Sequence, residues 1–167
     1  AGLQQNYGRL ELRRAALAGA DRDIYQEAMS SAAAHFKAAI VAAPSQAFSW
    51  SLASYALSEM SAPANEINGL LRMSYFLGPH EGSSILVRAR VASKSWEGLD
   101  SNVQGFVRRD FKAIWQTHGL RQEITDIYLD APLEVRVVIR DAIIENQADD
   151  QVFNRLLHKA LAQPRAG

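Results

Sequence analysis

Four histidines, one glycine-rich turn, two loop-flanking glutamates and a cationic helix are the residues whose types could carry chemistry. His35, His80, His118 and His158 stand apart, with no second histidine three or four residues from any of them. A helical zinc site needs that spacing to bring two imidazoles onto one face, so no metal is expected and each reads as a surface or helix-end histidine. The stretch "GPHEGSS" at 78–84 is glycine-rich and precedes a helical pattern. A phosphate loop would end in glycine, lysine and a hydroxyl residue, and no lysine is there. It reads as a turn in which Ser83 or Ser84 caps the next helix. No Gly-x-Ser-x-Gly elbow offers a nucleophile. Glu59 and Glu66 flank a loop and read as solvated. Arg108, Arg109 and Lys112 share one expected helix with Phe106, Phe111 and Trp115. A solvated cationic face is the plain reading of that helix, and docking of an acidic partner the sharper one. Three cations on a neutral chain release few counterions, so nucleic acid is not an expected partner. Trp50, Trp96 and Trp115 could stack on sugars, but at helix-packing positions such rings more often fill a core. These residues imply neither a cofactor nor a catalytic group.

The elements that would position them can be read from composition and punctuation. The 167 residues are 48% apolar and 22% charged, the proportions of an ordinary globular domain with a real core. Eighteen basic residues balance eighteen acidic ones, so no global field recruits an anionic surface. The absence of cysteine excludes disulfides, thiolate catalysis and cysteine zinc sites. No apolar run reaches the ~18 residues of a membrane span, so insertion by this chain is not expected. The sequence begins with Ala1 rather than methionine, which suits either an upstream signal or anchor or a piece cut from a longer chain. A cytoplasmic and a periplasmic setting both fit.

Pro44, Pro63, Pro79, Pro132 and Pro164 all fall between periodic segments, as helix breakers should. The segments predict nine helices, near 3–18, 21–43, 46–61, 64–77, 82–95, 101–117, 120–129, 132–146 and 149–162, in one all-α domain. Ile24, Ala28, Ala32, Phe36, Ala39, Ile40 and Ala43 form the apolar face of the second. Val152, Phe153, Leu156, Leu157, Ala160 and Leu161 form that of the last. "VRVVI" at 135–139 is the best strand candidate, but Leu133, Val137, Arg140 and Ile144 continue a helical period through it, so it is read as helix.

Pro44 and Pro79 lie 35 residues apart in matching surroundings. Eight positions before them stand Phe36 and Leu71; five before, Ala39 and Ser74; six after, Trp50 and Ile85; ten after, Ser54 and Ala89. Small positions let antiparallel helices touch, large ones fill the groove between hairpins, and the proline resets the chain. Over residues 22–95 this resembles the tetratricopeptide repeat, although Ser54 or Ala89 replaces its usual glycine and Ala53 or Arg88 its usual leucine. The resemblance implies a right-handed superhelix of helical hairpins, with residues 96–167 adding further helices that pack on the repeats. The first helices would line a concave surface presenting Phe48, Ser51, Tyr55, Ser83, Leu86 and Arg90 to a protein or peptide partner.

A second resemblance rests on "LLRMSYFLGPHEG" at 70–82 and "WEGLDSNVQGFVRRDFKAIW" at 96–115. Together they look like tetratricopeptide-like proteins of bacterial polysaccharide biosynthesis, the VpsP type. That implies a process, exopolysaccharide or O-antigen assembly, and no reaction; such proteins are often anchored to a membrane upstream. The leading expectation is thus a non-catalytic interaction or scaffold module. The alternative is a carbohydrate-active enzyme whose site the sequence hides; a catalytic-glutamate signature like that of the helical lytic transglycosylases is not found.

Overall fold

The computed structural model describes residues 1–162, and Pro164 lies outside them. Every regular element in the described residues is helical: α1 Gly2–Leu17, α2 Arg22–Ala42, α3 Ala47–Glu59, α4 Ala64–Leu77, α5 Gly82–Lys94, α6 Ser101–Gln116, α7 Arg121–Asp130, α8 Leu133–Ile143 and α9 Gln147–Ala162. Short 3-10 turns at Trp96–Gly98 and His118–Leu120 precede α6 and α7. The "VRVVI" stretch is helical. Pro44, Pro63, Pro79 and Pro132 all fall between helices.

Local chemistry starts several of these helices. Asp21 accepts from the Ile24 amide at the start of α2, and Asp100 from the Val103 amide at the start of α6. Asn146 accepts from the amides of Ala148 and Asp149 ahead of α9. Each satisfies donors that the first helical turn leaves without partners. The expected serine cap of α5 is not what forms. Glu81 occupies the cap position without a side-chain cap bond, Ser83 Oγ donates to Glu81 at 2.8 Å, and Ser84 is buried. The helix begins at Gly82, which puts both serines inside its first turn.

Consecutive helices pack as neighbours from α1 to α8, and there are also skipping contacts: α3 with α5, α4 with α6, α5 with α7, α6 with α8 and α7 with α9. One core cluster runs through them from Ala32 to Phe153. Phe36, Leu71, Ala39, Ser74, Ser54 and Ala89 are all fully enclosed. Trp50 and Ile85 were expected there too, but both are half-buried. The Trp50 indole donates to the Pro44 carbonyl at 2.8 Å, which holds the ring over the turn instead of inside the core.

Two glycines fix the first hairpin. Gly19 has φ +58°, a left-handed conformation that a side chain disfavours, and it turns the chain from α1 to α2. Gly8 faces the Phe36 ring so closely that a Cβ there would meet it at 2.5 Å.

One expected face is rotated. In α8 the buried residues are Val135, Ile139 and Ile143, while Leu133 and Val137 point outward. Both sets have helical period, and contact with α6 and α7 selects the first. In α2 the face holds at Ala28, Ala32, Phe36 and Ala39, but Ile24 is exposed, lining an open groove with Leu10 and Leu17 of α1. On α9, Phe153 and Ala160 are buried, Val152, Leu156 and Leu157 half-buried, and Leu161 exposed.

Candidate functional site

The carboxyl-terminal turns of α3, α5 and α7 converge on a hollow of about 220 Å³. Tyr55 and Glu59, one turn apart, come from α3; Arg90, Ser93 and Lys94 come from α5; Ile127 and Asp130 come from α7. A spacing of four residues sets two side chains on one helix face. Shifting Tyr55 and Glu59 by 35 residues gives Arg90 and Lys94, so stacked helices present the two pairs side by side.

The hollow is charged, and its charges are engaged. Glu59 accepts from Lys94 Nζ at 2.7 Å and from the Tyr25 hydroxyl of α2 at 2.7 Å. Burial alone would raise the Glu59 carboxyl, but the hydrogen bonds from Lys94 and Tyr25 and the nearby cations outweigh it and hold the group below the usual carboxylate range. The sequence suggested a solvated Glu59; its side chain is 18% exposed, because the α3 terminus tucks it between α2 and α5. Burial, then the Glu59 bond, raises the Tyr25 hydroxyl; burial likewise raises that of Tyr55. Arg90 is ion-paired with Glu123 of α7, and Ser93 Oγ donates to the Arg90 carbonyl.

Of the six concave positions expected from sequence, the structure brings Tyr55 and Arg90 into this hollow. Ser51 does not reach a surface. It is fully buried between α3 and α5, where its hydroxyl donates to the Phe48 carbonyl at 2.8 Å and lies 3.4 Å from that of Ser84. The close approach of these two helices requires small residues there, which is why a serine sits at that position. Phe48 is half-buried and lines a separate hollow of about 350 Å³ with Gln46, Leu77 and Glu81. Ser83 is exposed beside Glu81, and Leu86 is half-buried against the core.

The basic helix face is α6. Arg108, Arg109 and Lys112 are exposed along it. The Arg108 guanidinium lies 5.5 Å from the Trp96 ring centre and that of Arg109 4.4 Å from Phe106, while Lys112 is ion-paired with Glu145. The tryptophans divide: Trp115 is buried, donating its indole N–H to Asp149 at 3.1 Å, whereas Trp96 and Trp50 are half-buried. His80, His118 and His158 are exposed, and half-buried His35 bonds to Gln4 at 2.7 Å. Among the described residues no group of three His, Cys, Asp or Glu side chains is placed to hold a metal, and no helix is long and apolar enough to cross a membrane.

Sequence reasoning missed a second polar cluster. Arg88 is fully buried, donating from Nε to Asp110 Oδ2 at 3.0 Å, from Nη2 to Oδ1 at 3.3 Å and from Nη1 to the Gly78 carbonyl at 2.7 Å. Tyr75 donates its hydroxyl to the same carboxylate at 2.8 Å, and its ring lies 4.3 Å from the guanidinium carbon. Burial pushes the Asp110 carboxyl upward against the opposing pull of Arg88 and Tyr75, and raises Tyr75 as well. At the position where the repeat usually has leucine, α5 and α6 close around a bidentate pair. The signal available was Asp110 itself, an acid on the apolar face between Val107 and Phe111. Its enclosure makes the cluster a brace among α4, α5 and α6.

Compared with protein-family models, curated proteins and solved structures, the chain matches none of them.

Proposed function

We propose that this chain is a non-catalytic interaction module, a stack of tetratricopeptide-like hairpins that holds a protein or peptide segment across the ends of α3, α5 and α7. The observation that carries this reading is the meeting of Tyr55 and Arg90, from consecutive hairpins, in one hollow. A tyrosine offers broad contact area at low entropy cost and a guanidinium offers directed hydrogen bonds, which is why both types are enriched at binding hot spots. Periodic contacts support the stacking. Tyr25 with Glu59, Glu59 with Lys94, Arg90 with Glu123, Tyr75 with Asp110 and Trp115 with Asp149 bridge separations of 33 to 35 residues. Side chains one repeat apart meet in this way when hairpins stack in register.

Glu59 is not suited to be the proton donor of a carbohydrate hydrolase. A glycosidase needs one carboxyl raised to donate a proton and a second kept ionised. Here the hydrogen bonds from Lys94 and Tyr25 hold Glu59 ionised. The setting we infer, bacterial exopolysaccharide or O-antigen assembly, rests on the resemblance of residues 70–82 and 96–115 to proteins of that process.

A photo-crosslinking residue at position 55, compared with one at position 109 on the α6 face, tests the reading. Adducts from position 55 with a single protein are the expected result. Adducts from position 109 alone would move the site to the basic helix.

A further inference from the structure

The polar groups around the Tyr55–Arg90 hollow differ in what they have left to offer. Its carboxylates are already taken. Glu59 accepts from Lys94 Nζ and from the Tyr25 hydroxyl, Glu123 is ion-paired with Arg90, and Asp126 accepts from the Gln122 amide at 3.1 Å. Asp130, which lines the hollow, is engaged within the fold as well. The donors are less used. Arg90 bonds to Glu123 through Nη2, and among the described residues its Nε and Nη1 make no hydrogen bond. The Tyr55 hydroxyl has none there either.

The charges there are balanced before any partner arrives. Lys94 stands against Glu59, and Arg90 against Glu123. Asp130, at the end of α7, is offset by Arg136 of α8, which donates to the Leu129 and Ala131 carbonyls. Arg121 is turned away, over the Trp115 ring and onto its carbonyl, and Arg88 is paired with Asp110 in the core. What remains in excess is negative: Asp126, and the partial negative charges at the carboxyl ends of α3, α5 and α7. A carboxylate entering the hollow is therefore repelled, although Arg90 lines it. A cation meets Arg90 and Lys94 and finds no carboxylate without a partner. A neutral hydrogen-bond acceptor avoids both penalties and uses the donors that are open.

We propose, resting on the reading of this hollow as the partner site, that it takes the neutral carboxamide of an asparagine or glutamine in the partner segment, and that Glu123 sets this preference. The carboxamide carbonyl accepts from Arg90, and its amide donates to the Tyr55 oxygen, which as a phenol both donates and accepts. Ile127 gives its aliphatic stem an apolar floor. Glutamate has the same shape as glutamine, so the choice between them lies in charge. Glu123 is not part of the wall of the hollow, yet it neutralises the guanidinium that an acidic side chain would otherwise seek.

Selection from a displayed library of short random peptides tests this on the full chain. The wild-type chain should enrich peptides that share Asn or Gln at one position. One such peptide, and its copy with the corresponding acid at that position, are then titrated by fluorescence anisotropy. The carboxamide peptide should bind about tenfold more tightly than its acidic copy. Glu123→Gln leaves Arg90 without its counter-charge, so in that variant the order should reverse, and the acidic copy should bind more weakly as salt rises. Circular dichroism checks that the variant remains helical, and the wild-type comparison stands without it. Enrichment of acidic or basic residues in place of carboxamides would overturn the proposal while leaving the hollow as the partner site. So would an unchanged order in a folded Glu123→Gln variant. Peptides that bind a variant with Tyr55→Phe and Arg90→Ala as well as they bind wild type would overturn both readings, and so would a selection that enriches no peptide.

Discussion

Arg88 has no solvent exposure, so its guanidinium depends entirely on Asp110, Gly78 and the Tyr75 ring. Removing one partner strands a buried charge, which costs about 3–5 kcal/mol, whereas replacing both with apolar residues of similar volume is often neutral or stabilising. Arg88→Ala should therefore lower the urea-unfolding free energy by that amount, while Arg88→Met combined with Asp110→Leu should lose clearly less, its remaining cost being the Tyr75 hydroxyl and Gly78 carbonyl left without partners. If the single and double variants lost equally, the cluster would owe its effect to packing alone. Glu59 makes a prediction in pH. Its folded pKa lies below its ordinary value of 4.5, so its contribution is present above that value and is lost as pH falls through the lower folded one. Asp110 has the opposite sign, since its folded pKa is raised and ionisation works against burial. Urea midpoints should thus fall below about pH 4.5 in the wild type, and Glu59→Gln should flatten that part of the acid limb. An unchanged acid limb in the variant would remove Glu59 from the account.

At the scale of elements, the α1–α2 hairpin depends on the missing side chain of Gly8 opposite Phe36. Phe36 is fully enclosed and cannot move aside, so Gly8→Ala should cost about 1–3 kcal/mol by overpacking, and Phe36→Ala about 3–5 kcal/mol by leaving a cavity. Alanine tolerated at position 8 without a change in melting temperature would mean that the helices sit further apart. On the far side, Phe153 of α9 meets the rings of Trp115 and Tyr128 edge-on, at 5.9 and 5.0 Å. Phe153→Ala should cost a similar ~3–5 kcal/mol and red-shift the tryptophan emission as water reaches Trp115. The helices themselves were legible because prolines mark their ends and apolar residues recur at helical spacing. Which face each one buries was less so. Leu133–Val137 and Val135–Ile139 are equally periodic, and only contact with α6 and α7 distinguishes them. Trp50 illustrates the same limit, since its size suggested the core but its N–H found the Pro44 carbonyl at the turn.

For the whole molecule, the 35-residue offset first seen around Pro44 and Pro79 reappears in three dimensions as side-chain pairs one offset apart. That offset made Tyr55 and Arg90 readable as neighbours. Their companions were not readable as a group, because Glu123 and Asp130 come from a helix to which no register had been assigned and Tyr25 is not among the residues of the apolar face read on α2. The central claim is that the hollow at the ends of α3, α5 and α7 is where a partner binds. Its most direct test is calorimetric titration of the crosslinked partner against the wild-type chain and against a variant carrying Tyr55→Phe and Arg90→Ala. Phenylalanine keeps the packing of the half-buried Tyr55 ring against the core, so the variant should remain folded. Binding weaker by about 2 kcal/mol or more is the expected result for a hot-spot pair. Unchanged affinity in a variant that remains fully helical would contradict the claim.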